Sequence, residues 1–72
     1  MRLTYDTDAD AAYIYLVDEI DSGGVARTVP VESLPSEMMI NLDFDASNRL
    51  LGVEILDASR VLPPELLRGE GP

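Results

Sequence analysis

Apolar and polar positions alternate along most of this chain, and the alternation predicts strands rather than helices. Leu3-Thr4-Tyr5 is short and β-prone and runs into Asp6-Thr7-Asp8-Ala9-Asp10, whose side chains favour Asx-turns, so the first elements read as strand, turn, strand. From Ala12 to Val17 the period of two sets Ala12, Ile14 and Leu16 on one face and Tyr13, Tyr15 and Val17 on the other. Both faces are apolar, which predicts that both are at least partly covered. Asp18 to Gly24 is a loop by composition. Val25 to Val31 regains extended character as far as Pro30, which has no N–H to give a ladder, so that strand is an edge strand or ends there. Glu32 to Glu37, with Leu34-Pro35 among polar residues, reads as a connection.

The clearest unit is a hairpin of Met38 to Phe44 and Leu50 to Leu56. A four-residue loop, Asp45-Ala46-Ser47-Asn48, sets Leu42 opposite Leu51 and Ile40 opposite Val53. One face then carries Met38, Ile40, Leu42, Phe44, Leu51, Val53 and Ile55. A three-residue loop would set Asn41 against Val53 and Ile40 against Glu54, wasting roughly 1.5 to 3 kcal/mol per large apolar side chain, so the four-residue loop is expected. Beyond it, Asp57 is placed to cap a short helical segment through Leu62. Pro63-Pro64 interrupts that segment, and Pro64 suits the first position of a second piece running from Glu65 to Arg68. Val61, Leu62, Leu66 and Leu67 are its expected buried residues. The fold class is therefore mainly β with a minor helical part, an antiparallel meander of four to five strands with a short C-terminal helical segment. Residues 1–68 form one small antiparallel β domain, and 69–72, Gly-Glu-Gly-Pro, are expected to be a flexible tail.

Composition changes this picture in two ways. A chain of 72 residues buries only about 60% of the surface it exposes when unfolded, and it contains neither cysteine nor histidine. Disulfides are impossible and the usual zinc ligands are missing, so self-association is the remaining way to reinforce a small core. Fourteen acidic residues stand against five arginines, with no lysine, for a formal charge of −9. Such a surface repels phosphate backbones, which argues against nucleic-acid binding and suits a basic protein partner. No segment nears the roughly 20 apolar residues of a spanning helix, and Met1 to Asp6 has no apolar stretch of signal-peptide length. These features predict no membrane contact and a cytoplasmic location.

Candidate chemistry is sparse. Asp6, Asp8 and Asp10 match the first three ligand positions of a calcium loop, but the sixth position is Ala11 and the twelfth is Val17, where glycine and a bidentate glutamate are required. A turn-forming acidic cluster is the expected reading, and no metal or cofactor is assigned. Without histidine, cysteine or lysine the chain lacks the usual general base, thiolate and Schiff-base amine, so no catalytic residue is assigned either. A carboxylate pair, Asp43 and Glu54, shares the second face of the hairpin and could flank a substrate; a solvated strand face is the simpler expectation. Tyr13, Tyr15, Met39, Leu50 and Leu56 lie on that same face beside Gly52 and form the candidate interface, either a second core layer beneath the helical tail or a surface for a partner.

The segments Tyr5-Asp6-Thr7-Asp8-Ala9-Asp10-Ala11-Ala12-Tyr13-Ile14-Tyr15-Leu16 and Gly52-Val53-Glu54-Ile55-Leu56-Asp57-Ala58-Ser59, in this order, resemble the small bacterial family known as domain of unknown function 2283. Thr7 stands where proline is common in that pattern, and Asn48 where glycine is common; asparagine tolerates the left-handed conformation, so the hairpin turn is expected to survive. The resemblance implies a compact, strand-rich domain and carries over no activity. Members are sometimes partners of small toxin-like proteins, which implies an antitoxin-like role as the alternative to the leading expectation, a non-catalytic, self-associating (dimeric) interaction module.

Overall fold

The computed structural model describes residues 1–68, so the tail expected at 69–72 lies outside the described residues. Five strands form one sheet: β1 (Arg2–Asp6), β2 (Ala11–Tyr15), β3 (Arg27–Pro30), β4 (Ile40–Phe44) and β5 (Leu50–Leu56). A 3-10 turn at Pro35–Glu37 precedes β4, and two one-turn helices, α1 (Ala58–Val61) and α2 (Pro64–Leu67), follow β5. The fold is mainly β with minor helix, as the pattern predicts. Among the described residues no helix is long and apolar enough to cross a membrane.

The sheet order is β1-β2-β5-β4-β3, with every neighbouring pair antiparallel. It is therefore not one continuous meander. The β3-β4-β5 unit is a meander, and the β1-β2 hairpin is docked on the outer side of β5. β5 earns the central place because its Val53 and Ile55 meet Ile14 and Ala12 of β2 on one side and Leu42 and Ile40 of β4 on the other. The strand order makes β3 an edge, and β3 also ends at Pro30, which has no donor to offer an incoming strand.

The register of the β4-β5 hairpin differs from the sequence expectation by two residues. Ile40 is opposite Ile55 and Leu42 opposite Val53, and a bulge near the turn pairs Phe44 with Leu50. The turn is built on Asp45 and spans five residues rather than four. The Asp45 N–H donates to the Arg49 carbonyl at 2.9 Å, while Asp45 Oδ1 accepts from the Ser47 and Arg49 N–H groups at 2.8 and 2.9 Å. Asn48 takes the left-handed conformation, φ 63°, as its substitution for glycine allows. The backbone hydrogen bond from Arg49, then that from Ser47 and the Arg49 charge, hold the Asp45 carboxyl below the usual carboxylate range. A shift of two preserves the faces of Ile40, Leu42, Val53 and Ile55, so burial alone could not distinguish the two registers. The bulge does move one residue. Leu50, expected beside the tyrosines, pairs with Phe44 and so shares the opposite, apolar face.

The core is thin. Among the described residues Ala12, Ile55 and Ala58 are the buried hydrophobics, and Ile55 is the one large side chain of the three. Tyr5, Ile14, Ile40, Val53, Val61, Leu62 and Leu67 pack around them, partly covered. Within the tail the deeply buried residue is Ala58, while Val61, Leu62, Leu66 and Leu67 are partly buried. Two small residues, Ala12 and Ala58, allow the helix backbone to sit close against the sheet.

Candidate functional site

Antiparallel partners share a face, so the strand register sorts every side chain. One face carries Arg2, Tyr15, Gly52, Asp43 and Thr28 in one row and Thr4, Tyr13, Glu54, Asn41 and Pro30 in the next. Tyr13 organises it. Gly52 lies under the Tyr13 ring, and a Cβ there would collide with the ring atoms and hydroxyl, so only glycine lets the phenol reach across β5. The Tyr13 hydroxyl donates to Asp43 Oδ2 at 2.6 Å, and Thr28 Oγ1 donates to the other carboxylate oxygen at 2.6 Å. One carboxylate thus joins β2, β4 and β3. Burial first, then the Asp43 hydrogen bond and charge, push the Tyr13 hydroxyl well above the usual tyrosine range.

The rest of this face satisfies itself similarly. Asn41 Nδ2 donates to Glu54 at 3.0 Å. The Tyr13 and Tyr15 rings meet edge to face at 4.7 Å, and the Arg2 guanidinium lies 3.9 Å from the Tyr15 ring centre while donating to the Asp18 carbonyl. A shallow cleft of about 280 Å³ opens beside it, lined by Thr4, Asp6, Tyr13 and Glu54 among others. Asp43 does not line that cleft. The carboxylate pair suggested by the sequence shares a face, but its members turn to separate neutral donors rather than to one opening.

The candidate interface residues separate in space. Tyr13, Tyr15 and Leu56 are on this polar face, through their pairing with Glu54, Gly52 and Ala11. Met39 lies just before β4, exposed, its carbonyl accepting from the Leu56 N–H. Leu50 is on the other face. Nor does the helical tail lie beneath the tyrosines. Ala58, Val61, Leu62 and Leu67 pack with Ala12 and Ile55 on the opposite side, because the chain leaving β5 turns toward the face with room for it.

That opposite face is apolar in two successive rows and carries a charge, Arg27 paired with Phe44, in a third. Tyr5, Ala12, Ile55 and Ile40 form the row under the helices. Leu3, Ile14, Val53, Leu42 and Val29 form an unbroken row through all five strands. Beyond it lie Leu16, whose N–H reaches the Leu51 carbonyl at 2.9 Å, and the Phe44–Leu50 pair.

Asp10, expected only as part of a turn-forming acidic cluster, joins turn, sheet and helix. It adopts φ 51° at the end of the first turn. Its carboxylate accepts from the Tyr5 hydroxyl at 2.6 Å, the Ser59 hydroxyl at 2.6 Å and the Ser59 N–H at 2.9 Å, and its carbonyl accepts from the Ala58 N–H at 2.9 Å. The cap expected of Asp57 is supplied by Asp10 instead, since Asp57 is left-handed, φ 52°, with no side-chain cap bond. The Ser59 hydroxyl, then Tyr5, hold the Asp10 carboxyl below its ordinary range. Asp6 serves its own turn, accepting from the Asp8 N–H at 3.0 Å and more weakly from Ala9. The three aspartates therefore do not converge, and the described residues contain no group of three or more potential ligands that could hold a metal.

A family model described as "Protein of unknown function (DUF2283)" matches residues 2–59. That span begins with β1 and ends at Ser59, so it contains both partners of the Asp10–Ser59 link. Neither the curated proteins nor the solved structures give a match.

Proposed function

Given that the chain belongs to DUF2283, a family of proteins of unknown function, we propose that it is a non-catalytic interaction module that self-associates. One observation carries this reading: among the described residues the buried hydrophobics are Ala12, Ile55 and Ala58, of which Ile55 alone is a large side chain. Burial of a large apolar side chain contributes roughly 1.5 to 3 kcal/mol, and a domain of this size with neither disulfide nor zinc ligands has few other sources of stability. A second copy supplies the missing burial. The polar groups support the non-catalytic part, since Asp43 and Glu54 are engaged with neutral donors and the chain has no histidine, cysteine or lysine to activate.

Sedimentation velocity on the full chain over a wide concentration range tests the proposal. A mass rising toward the dimer, with melting temperature rising alongside it, is expected. A monomer at every concentration would refute it. A second reading, neutralisation of a basic toxin-like partner, draws support from the −9 charge and from carboxylates kept on an outward polar face. It requires binding to a basic protein that weakens steeply with salt, and salt-independent binding would remove it.

A further inference from the structure

The two edges of the sheet differ in what their backbones offer. At the β3 edge the Val31 N–H donates inward to the Ile40 carbonyl, and backbone groups alternate sides along an antiparallel strand, so Thr28 and Pro30 turn outward. Pro30 has no N–H to give there. The β1 edge carries no such block. The Leu16 N–H donates to the Leu51 carbonyl at 2.9 Å, so Ala12 and Ile14 face β5 while Ala11, Tyr13 and Tyr15 face β1. Their partners Asp6, Thr4 and Arg2 face back toward β2. The N–H and carbonyl groups of Leu3 and Tyr5 therefore point away from the sheet, where the described residues place no further strand. β1 has no proline and no lysine, and it pairs with β2 without a bulge from Arg2 to Asp6, so the usual guards of a free edge are missing.

We propose that β1 is the self-association surface, pairing antiparallel with β1 of a second copy about a two-fold axis at Thr4 and joining the two sheets into one. The proposal rests on the self-association reading and names its surface. Charge complementarity selects both occupant and register. About this axis Arg2 stands opposite Asp6 of the second copy, Leu3 opposite Tyr5 and Thr4 opposite Thr4. The Leu3 and Tyr5 positions bring the outward backbone groups of both copies together as hydrogen-bonded pairs. Arg2 with Asp6, and Thr4 with Thr4, then fall at the non-hydrogen-bonded positions, where Cα atoms approach to about 4.5 Å; opposite charges and threonine pairs both stabilise such positions. Moving the axis to Leu3 sets Arg2 against Thr4, and moving it to Tyr5 sets Asp6 against Thr4 and Arg2 against the turn, so neither keeps the ion pairs within the strands.

The side chains on this edge are free to make these contacts. Arg2, Thr4 and Asp6 are exposed. Asp6 uses Oδ1 for its own turn, which leaves Oδ2, and the Arg2 guanidinium gives one donor to the Asp18 carbonyl and keeps others. Beside β1 on the apolar face, a cleft of about 300 Å³ is lined by Leu3, Ile14 and Leu66 among others, and Tyr5 of the second copy lies opposite Leu3 at its rim. A formal charge of −9 on each copy makes most approaches of two chains repulsive. β1, with one charge of each sign, is neutral and self-complementary.

Two measurements test the assignment. Residue-resolved amide hydrogen exchange on the unaltered chain, at concentrations below and above those at which sedimentation velocity shows association, should slow at least about tenfold at Leu3 and Tyr5 and stay within about twofold at Thr28 on the other edge. Arg2→Asp and Asp6→Arg, each shown to be folded by circular dichroism, should each weaken self-association at least about tenfold. An equimolar mixture of the two variants should associate again, because each replaced residue then meets the opposite charge. Association with Leu3 and Tyr5 still exchanging freely, or a mixture of folded variants no stronger than its components, overturns the β1 assignment and leaves self-association standing. A chain that never associates removes both.

Discussion

On one side of the sheet Tyr13, Asp43, Thr28, Asn41 and Glu54 hold one another across four strands by hydrogen bonds. On the other, Leu3, Ile14, Val53, Leu42 and Val29 line up across all five strands, beside the row of Ala12 and Ile55 on which the helices pack. A polar network is satisfied within one molecule, so it can face water without loss. Apolar surface has no such internal solution and gains only from being covered. The contrast shows what aromatic content alone leaves out: a tyrosine whose hydroxyl already has an acceptor and whose ring lies on a glycine is half-buried by its own sheet.

The largest expected effect tests the covered part of the apolar face. Ile55→Ala should destabilise by about 2 to 5 kcal/mol, measured by urea unfolding, since Ile55 is the one large residue among the buried three. A loss below about 1 kcal/mol would mean that the site collapses and that the helices do not anchor there. Next, Gly52→Ala should lose about 1 to 3 kcal/mol by overpacking against the Tyr13 ring, and most of that loss should vanish in a Tyr13→Ala background. Additive effects of the two substitutions would break the account of the polar face.

Tyr13→Phe keeps the ring and removes its donor, so a smaller loss of about 0.5 to 1.5 kcal/mol is expected. The same bond has an alkaline signature. A hydroxyl with a raised folded pKa contributes fully below the unfolded value of about 10, and the contribution disappears as pH rises through the folded value; Tyr13→Phe should therefore flatten the loss of stability above about pH 10. The smallest effect is at Asp10, which is open to solvent screening. Its lowered pKa makes its contribution complete above the unfolded value of about 3.9 and lost as pH falls through the folded value. Asp10→Asn should thus lower the melting temperature at pH 7 while narrowing its difference from the unaltered chain below about pH 4. An unchanged gap at pH 3 would show that Asp10 acts through its backbone alone.

The period of two was sufficient to place β1, β2, β4 and β5 and to sort Ile40, Leu42, Val53 and Ile55 onto one side, because alternation follows from backbone geometry and depends on no distant contact. Pro30 marked a strand that either ends there or lies at an edge, for a similarly local reason, and β3 does both. The absence of cysteine, histidine and lysine and the −9 charge are likewise settled by composition. Pairing is a different matter. A shift of two residues leaves every face unchanged, so only the Asp45 turn and its bulge could select Leu42 opposite Val53 and send Leu50 to the side of Phe44. The link from Asp10 to Ser59, 49 residues away, and the choice of face for the helices depend on which surfaces meet once the sheet exists. Local propensity fixes what each segment is, and closure of the chain on itself decides what each segment touches.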